Sequence, residues 1–135
     1  VIVIDSSSLA KYLLREEGWK EVEQYLQKGV LTLDHAKKEV LNAVWKHSKI
    51  RHVITDEIAE KLHNTLNQLI DAKVLIVEDE NTYVDEAFKI AMEHNLTLYD
   101  SLYISQAIKR GQLLTSDAIQ NQVAAEMRVK VIFIP

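Results

Sequence analysis

The stretch Val1-Ile2-Val3-Ile4-Asp5-Ser6-Ser7-Ser8, running on through Leu9 to Leu14, decides the fold. Four consecutive β-branched apolar residues with no polar alternation predict a strand buried on both faces, as in a parallel sheet. Asp5 closes that strand. Ser6, Ser7 and Ser8 then offer N-caps for a helix over Leu9 to Arg15, where Leu9, Tyr12 and Leu13 recur at helical spacing.

The same alternation continues outward. Gly18 opens a second helix with Trp19, Val22, Tyr25 and Leu26 on one face, and Gly29 ends it. Val30 to Leu33 predicts a second strand, after which Asp34 can cap a helix carrying Val40, Leu41, Val44 and Trp45. Thr55, with Asp56 and Glu57 in the first turn, starts a helix striped by Ile58, Leu62, Leu66, Leu69 and Ile70. A third strand is expected over Val74 to Val77. Tyr83 to Ala91 predicts a helix closed by Asn95, and Leu102 to Ile108 another closed by Gly111. Leu113 to Thr115, Ala118 to Met127 and Val129 to Ile134 complete the reading as strand, helix and strand. Strands that alternate with helices, and are apolar on both faces, predict a three-layer α/β/α sandwich around a mainly parallel sheet of about five strands.

Composition agrees. The 135 residues are 47% hydrophobic and 27% charged, which fits one globular domain over residues 1–135 and excludes disorder as the default. Only three Gly and one Pro leave little turn chemistry for an all-β sandwich. The absence of Cys excludes thiol catalysis, disulfides and cysteine zinc sites, and fits a reducing compartment, so a cytoplasmic location is expected. The apolar runs at either end fall far short of the ~20 residues of a membrane span. The first residues have no basic start or small-residue cleavage site, so they do not read as a signal peptide, and the missing initiator Met is read as a trimmed start. A net charge of −4 excludes nucleic-acid binding by overall charge, leaving a metal or a local basic patch to do it.

Open parallel sheets bind ligands beyond the carboxyl ends of their strands. Asp5 lies at the end of the first strand and Asp117 just past the end of the fourth; Glu39 and Asp100 belong to helices that can lean over that edge. Taken singly, each such residue is more often a cap, a turn residue or a solvated side chain than a catalytic one. Four clustered carboxylates raise one another's pKa values unless a cation neutralises them. An oxygen-only ligand set favours Mg²⁺ or Mn²⁺ over zinc, and such an ion acidifies water and screens a phosphodiester. Without these four charges the rest of the chain is formally neutral.

The opening VIVIDSSSLAKYLL resembles the first motif of the PIN-domain nucleases: an apolar strand, Asp, a small residue, Ser or Thr, then a helix. EVLNAVWK is similar to the second motif, with Glu39 and Asn42 one helical turn apart, and LTLYDSLYISQAIKRGQLLTSD to the third and fourth. In order and separation these cover the whole chain, at the length of the compact VapC-type toxins of toxin–antitoxin modules. The resemblance implies metal ligation and catalysis by Asp5, Glu39, Asp100 and Asp117. It further implies supporting roles for Ser7 and Thr115 as orienting hydroxyls and for Asn42 as a polar partner of Glu39. Asn121 and its neighbours lack the additional carboxylate or Asp-aromatic pattern of many members, which weakens the case for a second metal. The implied activity is Mg²⁺- or Mn²⁺-dependent endoribonucleolytic hydrolysis leaving a 5′-phosphate and a 3′-hydroxyl. The implied partners are an RNA substrate, an antitoxin with a basic side chain for the acidic site, and a second copy of the chain in a homodimer.

Lys46 to His52 is the densest basic stretch, and Lys46, Lys49 and Arg51 are candidate RNA contacts, against the alternative of a solvated helix end. His47 and His52 do not share a helix face, and His35, His63 and His94 read as surface or interhelical residues. Most aromatic residues fall on apolar helix faces, with Tyr99 kept as a possible site residue. Gly-rich phosphate loops, nucleophile elbows and metalloprotease helices are missing. Two other functions remain open: an RNA-processing PIN nuclease without an antitoxin, and a noncatalytic receiver-like α/β module.

Overall fold

A computed structural model describes residues 1–135. Five parallel strands, β1 (Ile2–Ile4), β2 (Val30–Leu33), β3 (Leu75–Glu78), β4 (Gln112–Thr115) and β5 (Lys130–Phe133), form one sheet in the order β3-β2-β1-β4-β5. The helices between them are α1 (Ser6–Leu13), α2 (Trp19–Leu26), α3 (His35–Trp45), α4 (Asp56–Asp71), α5 (Val84–His94), α6 (Leu98–Arg110) and α7 (Ala118–Glu126). None is long and apolar enough to cross a membrane.

Successive strand residues point to opposite faces, so each central strand feeds two cores. Val3 and Leu113 pack with Ala87, Ile90, Leu102, Ile104 and Ala124 from α5, α6 and α7. Their neighbours Ile4 and Leu114 pack with Leu9, Val22, Val40 and Leu66 from α1 to α4. Both faces are covered, which is why these strands read as unbroken apolar runs.

From β1 the chain winds outward to β2 and β3, then returns across the sheet to β4 and β5. The reversal falls between β1 and β4, which pair through Val3 and Leu113. Their carboxyl ends flank the crevice in which open α/β sheets receive ligands. A receiver-like domain would have the order 2-1-3-4-5 instead, so the receiver alternative does not fit this topology.

Several boundaries differ from the sequence reading for local reasons. Thr97 accepts from the Asp100 amide and starts α6 at Leu98, which puts Asp100 in its first turn. Asp34 does not cap α3; its backbone is already helical and its carboxylate accepts from the Glu80 amide at 3.2 Å. Past Trp45 the helix widens into a π-turn over Lys46–Ile50, closed by Arg51 N–H donating to the Lys46 carbonyl. Gly111 ends α6 at φ 146°, where a Cβ would come within 2.6 Å of the Val1 carbonyl oxygen. Only glycine fits there.

Candidate functional site

Asp5 is 1% exposed and sits at the crevice between β1 and β4. It caps α1 by accepting from the Ser8 amide at 3.0 Å, so its capping role and its place in the site coexist. Thr115 Oγ1 donates to Asp5 Oδ2 at 2.6 Å, and Ser7 Oγ lies 2.7 and 2.8 Å from the two carboxylate oxygens. These donors favour the anion, but no cation reaches it. Burial wins and pushes the Asp5 carboxyl up to about 7, despite the Thr115, Ser8 and Ser7 hydrogen bonds and with a smaller push from Asp100.

The two hydroxyls also brace the β4 end. Thr115 Oγ1 accepts from the Asp117 amide at 3.1 Å and Ser7 Oγ from the Ser116 amide at 3.0 Å. Asp117 in turn caps α7 by accepting from the Gln120 amide at 2.7 Å. The side chain of Gln120, itself buried, donates to the Asp100 carbonyl at 2.9 Å and ties α7 to the start of α6. The first turns of α1, α6 and α7 are thus locked together around the crevice.

Asp100 is partly buried, and its carboxyl is raised first by desolvation, then by the charge of Asp117 and, less, by Glu39. Glu39 reaches in from α3. Burial would raise its carboxyl, but the close approach of His35 and the hydroxyl of Tyr103 outweigh that and hold it below the usual range. Tyr103 Oη donates to Glu39 Oε1 at 2.8 Å. Asp5, Glu39, Asp100 and Asp117 therefore feel one another's fields, through Asp100 as the common neighbour.

This donor set suits a hard divalent cation. A carboxylate whose ionisation is opposed by burial, with three more beside it and no Lys or Arg in ion-pair contact, has the electrostatics that such an ion relieves. The tightest group of metal-capable side chains lies a short way off: ligand atoms of Asp34, His35 and Glu80 are within 4.8 Å of one another, a spacing that no three of the four carboxylates reach.

Two residues beside Glu39 were not assigned to the site from the sequence. His35 is 5% exposed and wedged between Glu39, Glu80 and, on α6, Tyr99 and Tyr103, so of its two readings, surface or interhelical, the second holds. Tyr103 is core, as its apolar face implied, yet its hydroxyl serves Glu39. The i, i+4 spacing of His35 and Glu39 was the available signal for the first; nothing local marked the second. Tyr99 is exposed and stacks at a tilt on His35.

Asn42 lies with Glu39, Lys46, His47 and Arg51 along a cleft of about 280 Å³. Lys49 points elsewhere, into an ion pair with Asp56 at 2.8 Å along a different cavity between α3 and α4. The basic stretch is therefore divided, with Lys46 and Arg51 on the Glu39 side.

The PIN domain family model matches residues 2–126, and the chain belongs to that family. It is 32% identical over 119 residues to Ribonuclease VapC3 of Pyrobaculum aerophilum, across 86% of this chain and 88% of that one. Among solved structures, the crystal structure of PAE2754 from the same organism superposes with a TM-score of 0.67 at 23% identity, covering 90% of this chain and 78% of that one. That likeness is one of fold.

Proposed function

We propose that residues 1–135 form one catalytic domain, a Mg²⁺- or Mn²⁺-dependent endoribonuclease acting as the toxin of a VapBC-type module. The observation that carries this reading is the buried Asp5 at the β1/β4 crevice, without a Lys or Arg partner, braced by Ser7 and Thr115 and flanked by Asp100, Asp117 and Glu39. The family match and the relative named a ribonuclease support it independently.

In this reading Asp5, Glu39, Asp100 and Asp117 hold the ion. When bound, a divalent cation neutralises the scissile phosphate and acidifies the attacking water. The chain's own residues supply the frame. Thr115 and Ser7 fix both oxygens of Asp5 and the β4 end, while Tyr103 and His35 crowd one oxygen of Glu39, Oε1, and leave Oε2 for the crevice. Lys46, His47 and Arg51 receive the phosphates that flank the scissile one, and Asn42 lies between them and Glu39. Hydrolysis leaves a 5′-phosphate and a 3′-hydroxyl.

The partners are RNA, an antitoxin whose basic side chain enters the acidic crevice, and a second copy of the chain. The exposed Phe88 and Met92, one helical turn apart on α5, offer apolar surface for such a dimer. The protein works in the cytoplasm, where RNA and a reducing environment coincide.

The test is cleavage of a labelled RNA by chelator-treated protein. Cleavage is expected to vanish in chelator and return with Mg²⁺ or Mn²⁺. Undiminished cleavage in chelator overturns the reading.

A further inference from the structure

Beyond the four-carboxylate crevice, His35 poses a separate question. Its side chain is only 6% exposed, and neither nitrogen has an aligned hydrogen bond. Unpartnered buried imidazole nitrogens are costly and need an explanation. Nδ1 lies 3.3 Å from Glu80 Oε2, and Nε2 lies 3.1 Å from Glu39 Oε1. Asp34 is the third member, with one ligand atom each from Asp34, His35 and Glu80 inside 4.8 Å.

We propose that Asp34, His35 and Glu80 form a second metal site, selective for zinc and similar borderline ions over Mg²⁺, with His35 Nδ1 as its nitrogen ligand. One imidazole and two carboxylates are a zinc-type donor set with a position left for water, whereas Mg²⁺ prefers oxygen alone. A metal-bound histidine normally gives its other N–H to a carboxylate, which fixes the ring. That carboxylate is already in place as Glu39 on the Nε2 side. A metal on Nδ1 holds the proton on Nε2, where it faces Glu39 Oε1.

Two further observations agree. A cavity of about 360 Å³ lined by His35, Lys38, Glu39, Asn42, Glu80 and Tyr99 opens onto the imidazole and gives an ion a way in. Asp34 and Glu80 bring two carboxylates within 4.8 Å of each other, and neither has a Lys or Arg within ion-pair distance. The elements that build the site are the α3 start and the 3₁₀ turn Glu80–Thr82 after β3, pinned by the Glu80 amide on Asp34. Binding at this site does not rest on the ribonuclease reading. Its consequence does: the zinc site sets the orientation of Glu39 through His35.

The experiment is a zinc titration of the chelator-treated full chain, in competition with a chromophoric zinc chelator, with Mg²⁺ in large excess. About one zinc ion per chain is expected, retained in the Asp5→Asn/Asp117→Asn double variant and weakened at least about tenfold by Glu80→Gln. His35→Gln should abolish it, and Glu80→Gln, a partly exposed change, keeps the measurement valid if His35→Gln misfolds. Co²⁺ should give visible d–d bands that Glu80→Gln weakens. No bound zinc, zinc affinity unchanged in Glu80→Gln, or zinc lost in the double variant each overturns the proposal. Failure of the ribonuclease reading would show separately, as absent Mg²⁺-dependent cleavage.

Discussion

Asp5 and Glu78 each stand at the carboxyl end of a parallel strand, and both accept hydroxyl hydrogen bonds, yet their charges fare oppositely. Glu78 ends β3 with a guanidinium against it: Arg110 Nε donates at 3.1 Å and Nη2 is closer still, with Gln106 and Tyr83 adding bonds at 3.0 and 2.8 Å. Arg110 beside it holds the Glu78 carboxyl down to about 2, against the opposing effect of burial. Asp5 ends β1 with hydroxyl and amide donors only, and burial holds it up to about 7. A carboxylate whose cation is built into the chain is a brace between elements, here β3 and α6. One that is desolvated without a cation stands ready to take an ion from outside.

The sharpest way to break this contrast is to neutralise each carboxylate in turn. Asp5→Asn should lower the RNA cleavage rate by at least about a hundredfold, the scale lost when a preorganised electrostatic group is removed from an active site. Glu78→Gln should leave cleavage within a fewfold of the parent. A single-turnover assay on a short RNA decides this, and equal losses in the two variants would erase the distinction.

Stability should move the other way. The folded Asp5 carboxyl is raised from 3.8, so its contribution is fully present below about pH 4, declines as pH rises and is lost above about pH 7. The full shift corresponds to about 4 kcal/mol, and relaxation of the site makes roughly 2 kcal/mol the expected gain for Asp5→Asn at pH 8. That gain should vanish near pH 4, where the native carboxyl is also protonated. Glu78 is depressed, so its contribution is present above about pH 4.5 and lost as pH falls toward 2. Because the pair is partly exposed and screened, Glu78→Gln should cost only about 1 kcal/mol at pH 7. Urea denaturation of both variants across pH 4 to 8 measures these signs. Asp5→Asn less stable than the parent at pH 8 would show that its hydrogen bonds outweigh its desolvation.

Much of this was legible from the chain, and for identifiable reasons. Apolar runs such as Val1 to Ile4 announce strands covered on both sides, and Asp5 and Asp117 follow their strand ends directly in sequence, so the crevice could be located from spacing. The bracing of Asp5 and Asp117 by Thr115 depends on which way β1 and β4 pair, and local pattern does not encode pairing. His35 was not assigned to the site because a lone histidine near a helix start has no periodic signature, and its interhelical burial comes from Tyr99 and Tyr103, more than sixty residues away. The Glu78–Arg110 brace was missed for the same reason, being a contact between β3 and α6. The π-turn after Trp45 also lay beyond the pattern, and it is what divides the basic stretch.

That division yields the smallest expected effect, and the finest test of how a cation's setting determines its role. Lys46 and Arg51 are exposed along the cleft that contains Glu39, with no acidic partner within ion-pair distance. Lys49 lies a turn away but is paired with Asp56, just as Arg110 is paired with Glu78. A cation free to meet phosphate releases counterions when RNA binds, whereas one that already has a carboxylate must first give it up. Replacing Lys46 and Arg51 together with Ala should therefore reduce the slope of log affinity against log salt by about 0.7 for each phosphate no longer neutralised. Lys49→Ala should leave the slope unchanged and cost at most about 1 kcal/mol of stability, as an exposed ion pair does. Binding of a noncleavable RNA analogue between 50 and 200 mM salt (a range of roughly fourfold, ample for slopes of this size) makes the comparison. Equal slope changes from Lys49 and from the Lys46/Arg51 pair would mean that RNA takes Lys49 from Asp56 and that the division is not functional.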